Sequence, residues 1–180
     1  MFPGFSNWLF IRIHLIIIRQ KGFNLDIRYS SNIENIAWEE VANIFHAVGW
    51  APRIPTEIEK AFRMSTYVRI AHSGGKIVGF GRTVDDGKYY ALIADLVIHP
   101  GYQGRGIGTR ILNELKDALK DYIFTSLIAA PGKDGFYVQQ GWLRQKSAFM
   151  WPRSKKQEEQ YAICSEQSAS ADTVKPREDI

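Results

Sequence analysis

A strand that runs into a glycine-rich turn and then into an amphipathic helix is the strongest constraint on how this 180-residue chain folds. The strand is predicted over residues 89–98 and ends at the turn residues His99 and Pro100. Gly104, Gly106 and Gly108 follow, and the helix after them carries its apolar residues at helical spacing. Unpaired amides at a helix start attract anions, and glycines let a phosphate approach them. The sequence therefore predicts that this loop binds a pyrophosphate.

Two common nucleotide motifs do not fit the loop. A P-loop would continue with Lys and Ser or Thr where Gly106 is followed by Ile107, and a Rossmann fingerprint would place its third glycine one residue later. A plainer interpretation is that the glycines only form a helix-entry turn. It is disfavoured because the strand, the His-Pro turn, Gln103 and the apolar stripe all occur in register.

The middle of the chain alternates between strand and helix signals. Six strands are predicted, over residues 24–30, 67–72, 76–84, 89–98, 124–130 and 142–151. Four helices are predicted among them: one with apolar residues at helical spacing from Ile33 to Val48, one over residues 56–64, the long helix after the glycine loop, and one over residues 132–139. This order predicts an α+β (mixed α/β) fold whose mixed sheet is antiparallel first and parallel where the long helix crosses over.

The two ends differ from this middle, and we predict three parts: an extension over residues 1–24, a domain over 25–152 and a polar, disordered tail over 153–180. The apolar extension is interrupted by Arg12 and His14, so it is too short to span a membrane and lacks the features of a secretory signal. An added strand or interaction arm, a poorly structured extension and a targeting or surface anchor all remain open for it.

Charge and cysteine content narrow the classes of function. The net charge is +4, but residues 1–24 hold three basic and no acidic side chains, so the rest of the chain carries only +1. So small a positive charge suits a phosphorylated cofactor better than a nucleic acid. The one cysteine, Cys164, excludes an internal disulfide and favours a reducing compartment, so we expect a cytoplasmic protein, or a plastid protein if the source is a plant. No group of side chains has metal-ligand spacing, so no metal is predicted.

Two motifs carry a family resemblance. The segment Gln103-Gly104-Arg105-Gly106-Ile107-Gly108 resembles the Gln/Arg-x-x-Gly-x-Gly/Ala signature of the GCN5-related N-acetyltransferases (GNAT). Residues 130–142, with Phe136 and Tyr137 followed by Gly141 and Trp142, resemble the later motif of that family. Residues 48–53, 79–82 and 93–97 resemble the serotonin (arylalkylamine) N-acetyltransferase branch of plants and cyanobacteria.

The resemblance implies a central mixed sheet of about six to seven strands flanked by four helices. It implies acetyl-CoA as the cofactor, with Tyr137 as the general acid that protonates the departing sulfur, as a suitably positioned phenol can. It also implies that a homodimer is one arrangement open to the chain, with the predicted last strand pairing with another copy. The residues implied for the cofactor are Leu96, Val97, Ile98, Gln103, Gly104, Arg105, Gly106, Ile107, Gly108, Thr109, Lys133 and Phe136.

Asp95 is a carboxylate in an otherwise apolar strand, where an unpaired charge would be costly. One hypothesis makes it a catalytic residue, either the base for the ammonium substrate or its electrostatic anchor, and the other makes it a structural group bonded to nearby backbone or Arg82. Arg53 and Arg82 pair with Asp95 in one interpretation and bind cofactor phosphates in another. Trp50, Arg53 and Tyr90 are candidates for the substrate site, although the aromatic residues also suit an ordinary core.

These observations predict an N-acetyltransferase that acts by direct attack in a ternary complex on a small primary amine, such as the arylalkylamines serotonin or tryptamine. The alternatives are acetylation of a protein lysine or N-terminus, of a polyamine or of an antibiotic, and a non-catalytic acyl-CoA sensor. We expect a small-molecule partner, no nucleic acid and no stable membrane span.

Overall fold

The structure, a computed structural model, describes residues 26–162. They form two compact units, the first ending at Leu127 and the second beginning at Ile128. The extension over residues 1–24, most of the tail and Cys164 lie outside the described residues. None of the helices in the described part is long and apolar enough to cross a membrane.

The first unit is built on a five-stranded sheet in the order β1-β2-β3-β4-β5. Its strands are β1 (Ile27–Ser30), β2 (Val68–Ser73), β3 (Lys76–Asp85), β4 (Tyr90–Ile98) and β5 (Phe124–Leu127). Helices α1 (Trp38–Ala47) and α2 (Pro55–Arg63) lie between β1 and β2 in the chain, and α3 (Ile107–Ala118) lies between β4 and β5. The first four strands pair antiparallel, while β4 and β5 pair parallel. The predicted mixed sheet and its crossover helix are therefore confirmed.

The prediction of six to seven strands is not confirmed, because the described residues form five. The strand predicted over residues 142–151 is absent: these residues form no ladder, and Leu143, Phe149 and Trp151 are largely exposed. Isolated apolar residues do not make a strand unless a neighbouring strand accepts their backbone hydrogen bonds. These residues therefore offer no strand edge through which two copies of the chain could pair.

The second unit contains two short helices, α4 (Asp134–Gln139) and α5 (Lys155–Tyr161). Helix α4 starts two residues after the predicted boundary, because Gly132 adopts a φ of 72° in the turn before it. Helix α5 falls where the composition predicts no regular structure, and the side chain of Ser154 caps it by accepting from the amide of Gln157.

One face of the sheet in the first unit is covered by α1 and α2. The buried residues of α1 recur at helical spacing, and the helix stops before Gly49, which has a φ of 83°. Helix α2 begins with Pro55, whose missing N–H costs nothing at this position. The apolar core on this face comprises Trp38, Val41, Ile44, Phe45, Ile58, Phe62, Val68, Ile70, Ile77, Phe80 and Val97.

Helix α3 packs on the sheet through a buried stripe that includes Ile107, Ile111 and Leu115. It approaches β3 closely at Gly81: a Cβ there would lie 2.7 Å from Cγ2 of Ile111 and 2.9 Å from Cδ1 of Leu115. A glycine in the middle of this strand is therefore needed for the helix to sit against the sheet. This packing fixes the start of α3 relative to β4.

Candidate functional site

The glycine-rich loop is held in shape by its own side chains. His99 Nδ1 accepts a hydrogen bond from the amide of Gly101 (3.1 Å), so His99 is a turn residue. The side chain of Gln103 donates from Nε2 to the carbonyl of Ile98 (2.9 Å) and thereby ties the loop to the end of β4. Gly104 and Gly106 have φ values of 73° and 79°, which other residues adopt only with strain.

The start of α3 is open to a ligand. Gly106 is the N-cap, no side chain caps the helix and no acidic residue lies in its first turn. The amides of Ile107, Gly108 and Thr109 precede the first intrahelical bond, which the amide of Arg110 donates to Gly106 (3.0 Å). The side chain of Ile107 is buried in the core, so only its backbone can serve the loop. These features make an anion site of the kind that phosphates occupy.

Arg105 is exposed at the tip of the loop. Its guanidinium lies 5.4 Å from the centre of the Tyr102 ring, within the range of a cation–π contact. Gly104 and Gly106 both face open space, since a Cβ at either would meet nothing within 4 Å. A bulky ligand group can therefore reach the backbone of the loop.

Beyond the loop, β4 presents an unpaired edge. Its last pair with β5 is Ile93 with Leu127, although β4 continues to Ile98. Residues 94–98 therefore have no strand of the described chain on that side. Val97 is buried in the core, while Leu96 and Ile98 are half-buried. An extended ligand with amide groups can add to this edge as another strand would.

A bulge at Ala94 directs the side chain of Asp95. In the β3–β4 ladder Thr83 pairs with Ile93 and Arg82 pairs with Asp95, so Ala94 has no partner. Residues two apart in a regular strand lie on the same face of the sheet, and so do cross-strand partners. Thr83 and Arg82 are neighbours on β3 and lie on opposite faces, so their partners Ile93 and Asp95 also lie on opposite faces, although only Ala94 separates them. Asp95 consequently points to the face covered by α1 and α2.

Asp95 is 3% exposed and is held by two arginines. Its Oδ2 accepts from Nε of Arg82 at 2.5 Å, and its Oδ1 accepts from Nη1 of Arg53 at 3.3 Å. The guanidinium of Arg53 also lies 4.0 Å from the Phe45 ring centre and 5.1 Å from that of Trp50. The interpretation that pairs both arginines with Asp95 is the one that the structure contains. We call Arg53, Arg82 and Asp95 the Asp95 cluster.

Arg82 is further held by a residue that the sequence did not indicate. Its Nη1 donates to Oγ of Ser65 (3.3 Å), and its guanidinium lies 5.9 Å from the ring of Phe62. Ser65 follows α2, seventeen residues before Arg82, and no spacing rule links the two. The one signal that the sequence offered for this group of contacts was the carboxylate of Asp95 in an apolar strand, which requires a cationic partner.

We expect Arg82→Met to reduce the free energy of unfolding by about 3 kcal/mol, because it leaves the buried carboxylate of Asp95 with one partner at longer range. Urea denaturation measures this change. Arg63→Met is the matched control, since the Arg63–Glu59 pair on α2 lies at the surface, with side chains 54% and 33% exposed, and should contribute less than about 1 kcal/mol. Equal losses in the two variants would contradict a structural role for the Asp95 cluster.

The structure brings only part of the predicted substrate set together. Trp50 is half-buried and stacks on Phe45 with ring centres 5.4 Å apart, next to Arg53. Tyr90 lies at the other end of β4, beside Phe124 with ring centres 6.0 Å apart. Asp95 lies five positions after Tyr90 along the strand, a distance of roughly 17 Å. Tyr90 therefore does not share a site with Trp50 and Arg53.

In the second unit, α4 carries the predicted general acid. Tyr137 is half-buried, and its ring meets that of Phe136 edge to face at 5.0 Å. Its carbonyl accepts from the amide of Trp142 (3.0 Å), which closes the turn after the helix. Burial raises the pKa of the Tyr137 phenol, so the group keeps its proton at neutral pH. Lys133 lies exposed at the N-cap of α4.

Comparisons with known proteins agree with this arrangement. The model of the acetyltransferase (GNAT) family matches residues 32–142. An uncharacterized N-acetyltransferase, ycf52, of Porphyra purpurea is 30% identical over 135 residues, which cover 69% of this chain and 78% of that protein. The chloroplastic serotonin N-acetyltransferase 2 of rice (Oryza sativa subsp. japonica) is 31% identical over 100 residues, covering 52% of this chain and 50% of that protein.

A solved structure shares the fold. It is a probable acetyltransferase of unknown function from methicillin-resistant Staphylococcus aureus, which superposes with a TM-score of 0.64 at 22% identity and covers 71% of this chain and 99% of that one. The family match spans β4, the glycine-rich loop, α3 and the Phe-Tyr motif of α4 together. Three observations agree: a glycine loop at an uncapped helix start, a bulged strand with an open edge, and a family match over more than half of the sequence. The chain is therefore an acyltransferase of the GNAT family.

Proposed function

We propose that this protein transfers an acetyl group from acetyl-CoA to a small primary amine by direct attack in a ternary complex. The observation that carries the proposal is the uncapped start of α3 behind the left-handed glycines Gly104 and Gly106. An arylalkylamine such as serotonin or tryptamine is the first acceptor to test. The rice relative is named a serotonin N-acetyltransferase, which supports that choice.

The residues of the loop and of β4 fit acetyl-CoA by their chemistry. Its diphosphate requires several backbone donors that a ligand can approach, which residues 104–109 supply. Its pantetheine arm carries amides that can pair with an open strand edge, which residues 96–98 supply. The family resemblance adds Lys133 and Phe136 as further contacts. When bound, acetyl-CoA supplies the thioester from which the acetyl group is transferred.

The side chains of the protein then have separate tasks. Tyr137 holds a proton on its phenol oxygen and donates it to the departing thiolate; burial raises the pKa of this phenol, so the group stays protonated until the thiolate forms. Asp95 already accepts at both oxygens from guanidinium groups, so accepting a proton would require an ion pair to break. We therefore assign Asp95 a positioning role through Arg53 and Arg82, instead of that of the base.

The location is proposed with the function. The rice relative is chloroplastic by name, and a single cysteine suits a reducing compartment. We propose the cytoplasm, or the plastid if the source is a plant. Fluorescence imaging of the tagged chain in its own source tests this proposal, and an oxidising compartment would contradict it.

Thiol release from acetyl-CoA, measured with a thiol-reactive dye across a panel of amines, tests the proposed function. We expect release that depends on the added amine, together with saturable acetyl-CoA binding by calorimetry. Binding without amine-dependent release over a broad panel would contradict the enzyme and indicate an acyl-CoA sensor. Absence of binding would show that the glycine loop has been assigned the wrong ligand.

A further inference from the structure

We propose that Arg53 binds a carboxylate of the acceptor, so that the preferred substrates carry an amine and a carboxylate on the same molecule. The inference rests on the proposed function and narrows its substrate class. It concerns the loop between α1 and α2, residues 48–54, which holds the guanidinium of Arg53 against the sheet.

The charge of the Asp95 cluster is unbalanced. One carboxylate is shared by two guanidinium groups, so the cluster carries one positive charge in excess. Arg82 is the inner partner: its contact is the shorter one, and its side chain is 15% exposed. The contact of Arg53 is longer, at 3.3 Å, and its side chain is 39% exposed. The uncompensated charge therefore lies at the accessible member, Arg53.

Within the described residues, Arg53 uses only part of its hydrogen-bond donors. Its hydrogen bond to Asp95 uses Nη1 alone, and within residues 26–162 its Nε and Nη2 hydrogens have no acceptor. A guanidinium offers these two groups as a planar fork that matches the two oxygens of a carboxylate. The aliphatic amines and serotonin lack such a group and would leave the fork unused.

The fork is held in place before any ligand arrives. The guanidinium lies 4.0 Å from the ring centre of Phe45, which is fully buried, and 5.1 Å from that of Trp50. Contacts on a ring face and a bond to Asp95 restrict the rotamers of a long side chain, so less entropy is lost when a ligand binds.

Through its bond to Asp95, Arg53 lies next to the part of β4 whose edge is open. Asp95 directly precedes Leu96, where the open edge of β4 is proposed to hold the acyl carrier. An acceptor whose carboxylate pairs with Arg53 would thus be anchored beside the strand that presents the thioester. Trp50, stacked next to Arg53, lies in reach of an aromatic side chain on the same acceptor.

Matched acceptors that differ by one carboxylate test the inference. The pairs are tryptophan with tryptamine, 5-hydroxytryptophan with serotonin, tyrosine with tyramine, and lysine with cadaverine. We expect kcat/KM to be about tenfold or more higher for the carboxylated member of at least one pair, the effect of one charge-assisted interaction. Equal values, or higher values for the decarboxylated members in all four pairs, would overturn the inference while the proposed function stands.

Variants assign the preference to Arg53. Arg53→Gln should remove the preference for the carboxylated acceptor. Arg53→Lys should keep part of this preference, because the charge stays but the fork is lost. The control Arg63→Gln, on the surface of α2, should retain it in full. Thermal melts establish that each variant is folded. A variant effect on the KM of acetyl-CoA without an effect on the preference would overturn the inference and assign Arg53 to the cofactor.

A binding measurement separates this inference from the proposed function. Calorimetry with N-acetyltryptophan and N-acetyltryptamine requires no turnover. Tighter binding of the former, by about tenfold and dependent on Arg53, supports the carboxylate site even if no amine is acetylated. Equal binding of the two products would refute it even in an active enzyme.

Discussion

Gly106→Val is expected to weaken acetyl-CoA binding about 10- to 100-fold, the loss of one or two charge-assisted hydrogen bonds to the diphosphate. Gly106 has a φ of 79°, and a β-branched residue avoids this region. A side chain there would also occupy the open space through which a phosphate reaches the amides of α3. Isothermal titration with acetyl-CoA measures the effect.

Gly87→Val provides the matched control for backbone strain. Gly87 has a φ of 78°, and a Cβ there would also meet nothing within 4 Å, but the residue lies in the turn between β3 and β4. Both variants should lose about 1–2 kcal/mol of stability from the left-handed conformation, and only Gly106→Val should lose acetyl-CoA affinity. Equal affinities in the two variants would show that the diphosphate does not bind at this loop.

Tyr137→Phe is expected to lower kcat about 100-fold or more while the affinity for acetyl-CoA stays nearly unchanged, because the phenol acts only when the thiolate leaves. Burial raises the pKa of Tyr137 above its ordinary value of about 10, so the active neutral form persists as the pH rises. The fall of kcat on the alkaline side should therefore begin above that value in the wild type. The variant should lack this fall.

Steady-state kinetics over a range of pH, with calorimetry of acetyl-CoA binding, tests the role of Tyr137. Phe136→Leu on the same helix is a control for kcat alone, since Phe136 is itself proposed as a cofactor contact: the change removes the ring that meets Tyr137 and leaves the hydroxyl in place. It should lower kcat far less than Tyr137→Phe. A Tyr137→Phe variant that loses affinity and kcat in equal proportion would assign the residue to binding.

The sequence was most informative where local chemistry decides the structure. The glycine loop, the stripe of α3 and the two-residue turn at Gly74 and Gly75 each follow from short-range spacing or from positive φ angles. The partner of Asp95 across the hairpin, Arg82, also lay within reach of sequence reasoning. A buried carboxylate requires a cation, and Arg82 lies on the neighbouring strand of the same hairpin.

The features that sequence reasoning missed or left open depend on distant parts of the chain. The pairing of Arg53 with Asp95 was one of two open interpretations, because Arg53 is 42 residues from Asp95 and meets it only where α1 and α2 cover that face of the sheet. The bulge at Ala94, which turns Asp95 toward this face, has no signal in the residue types around it. Residues 142–151 have the composition of a strand but form no hydrogen-bonded ladder, because a strand also requires a neighbouring strand with which to pair.

The central claim is that the backbone amides at the start of α3 bind the diphosphate of acetyl-CoA. A crystal structure of the protein with coenzyme A tests it most directly. We expect diphosphate oxygens within about 3 Å of the amide nitrogens of residues 104–109, the ordinary length of such hydrogen bonds. Coenzyme A bound at another surface, with these amides facing only solvent, would contradict it.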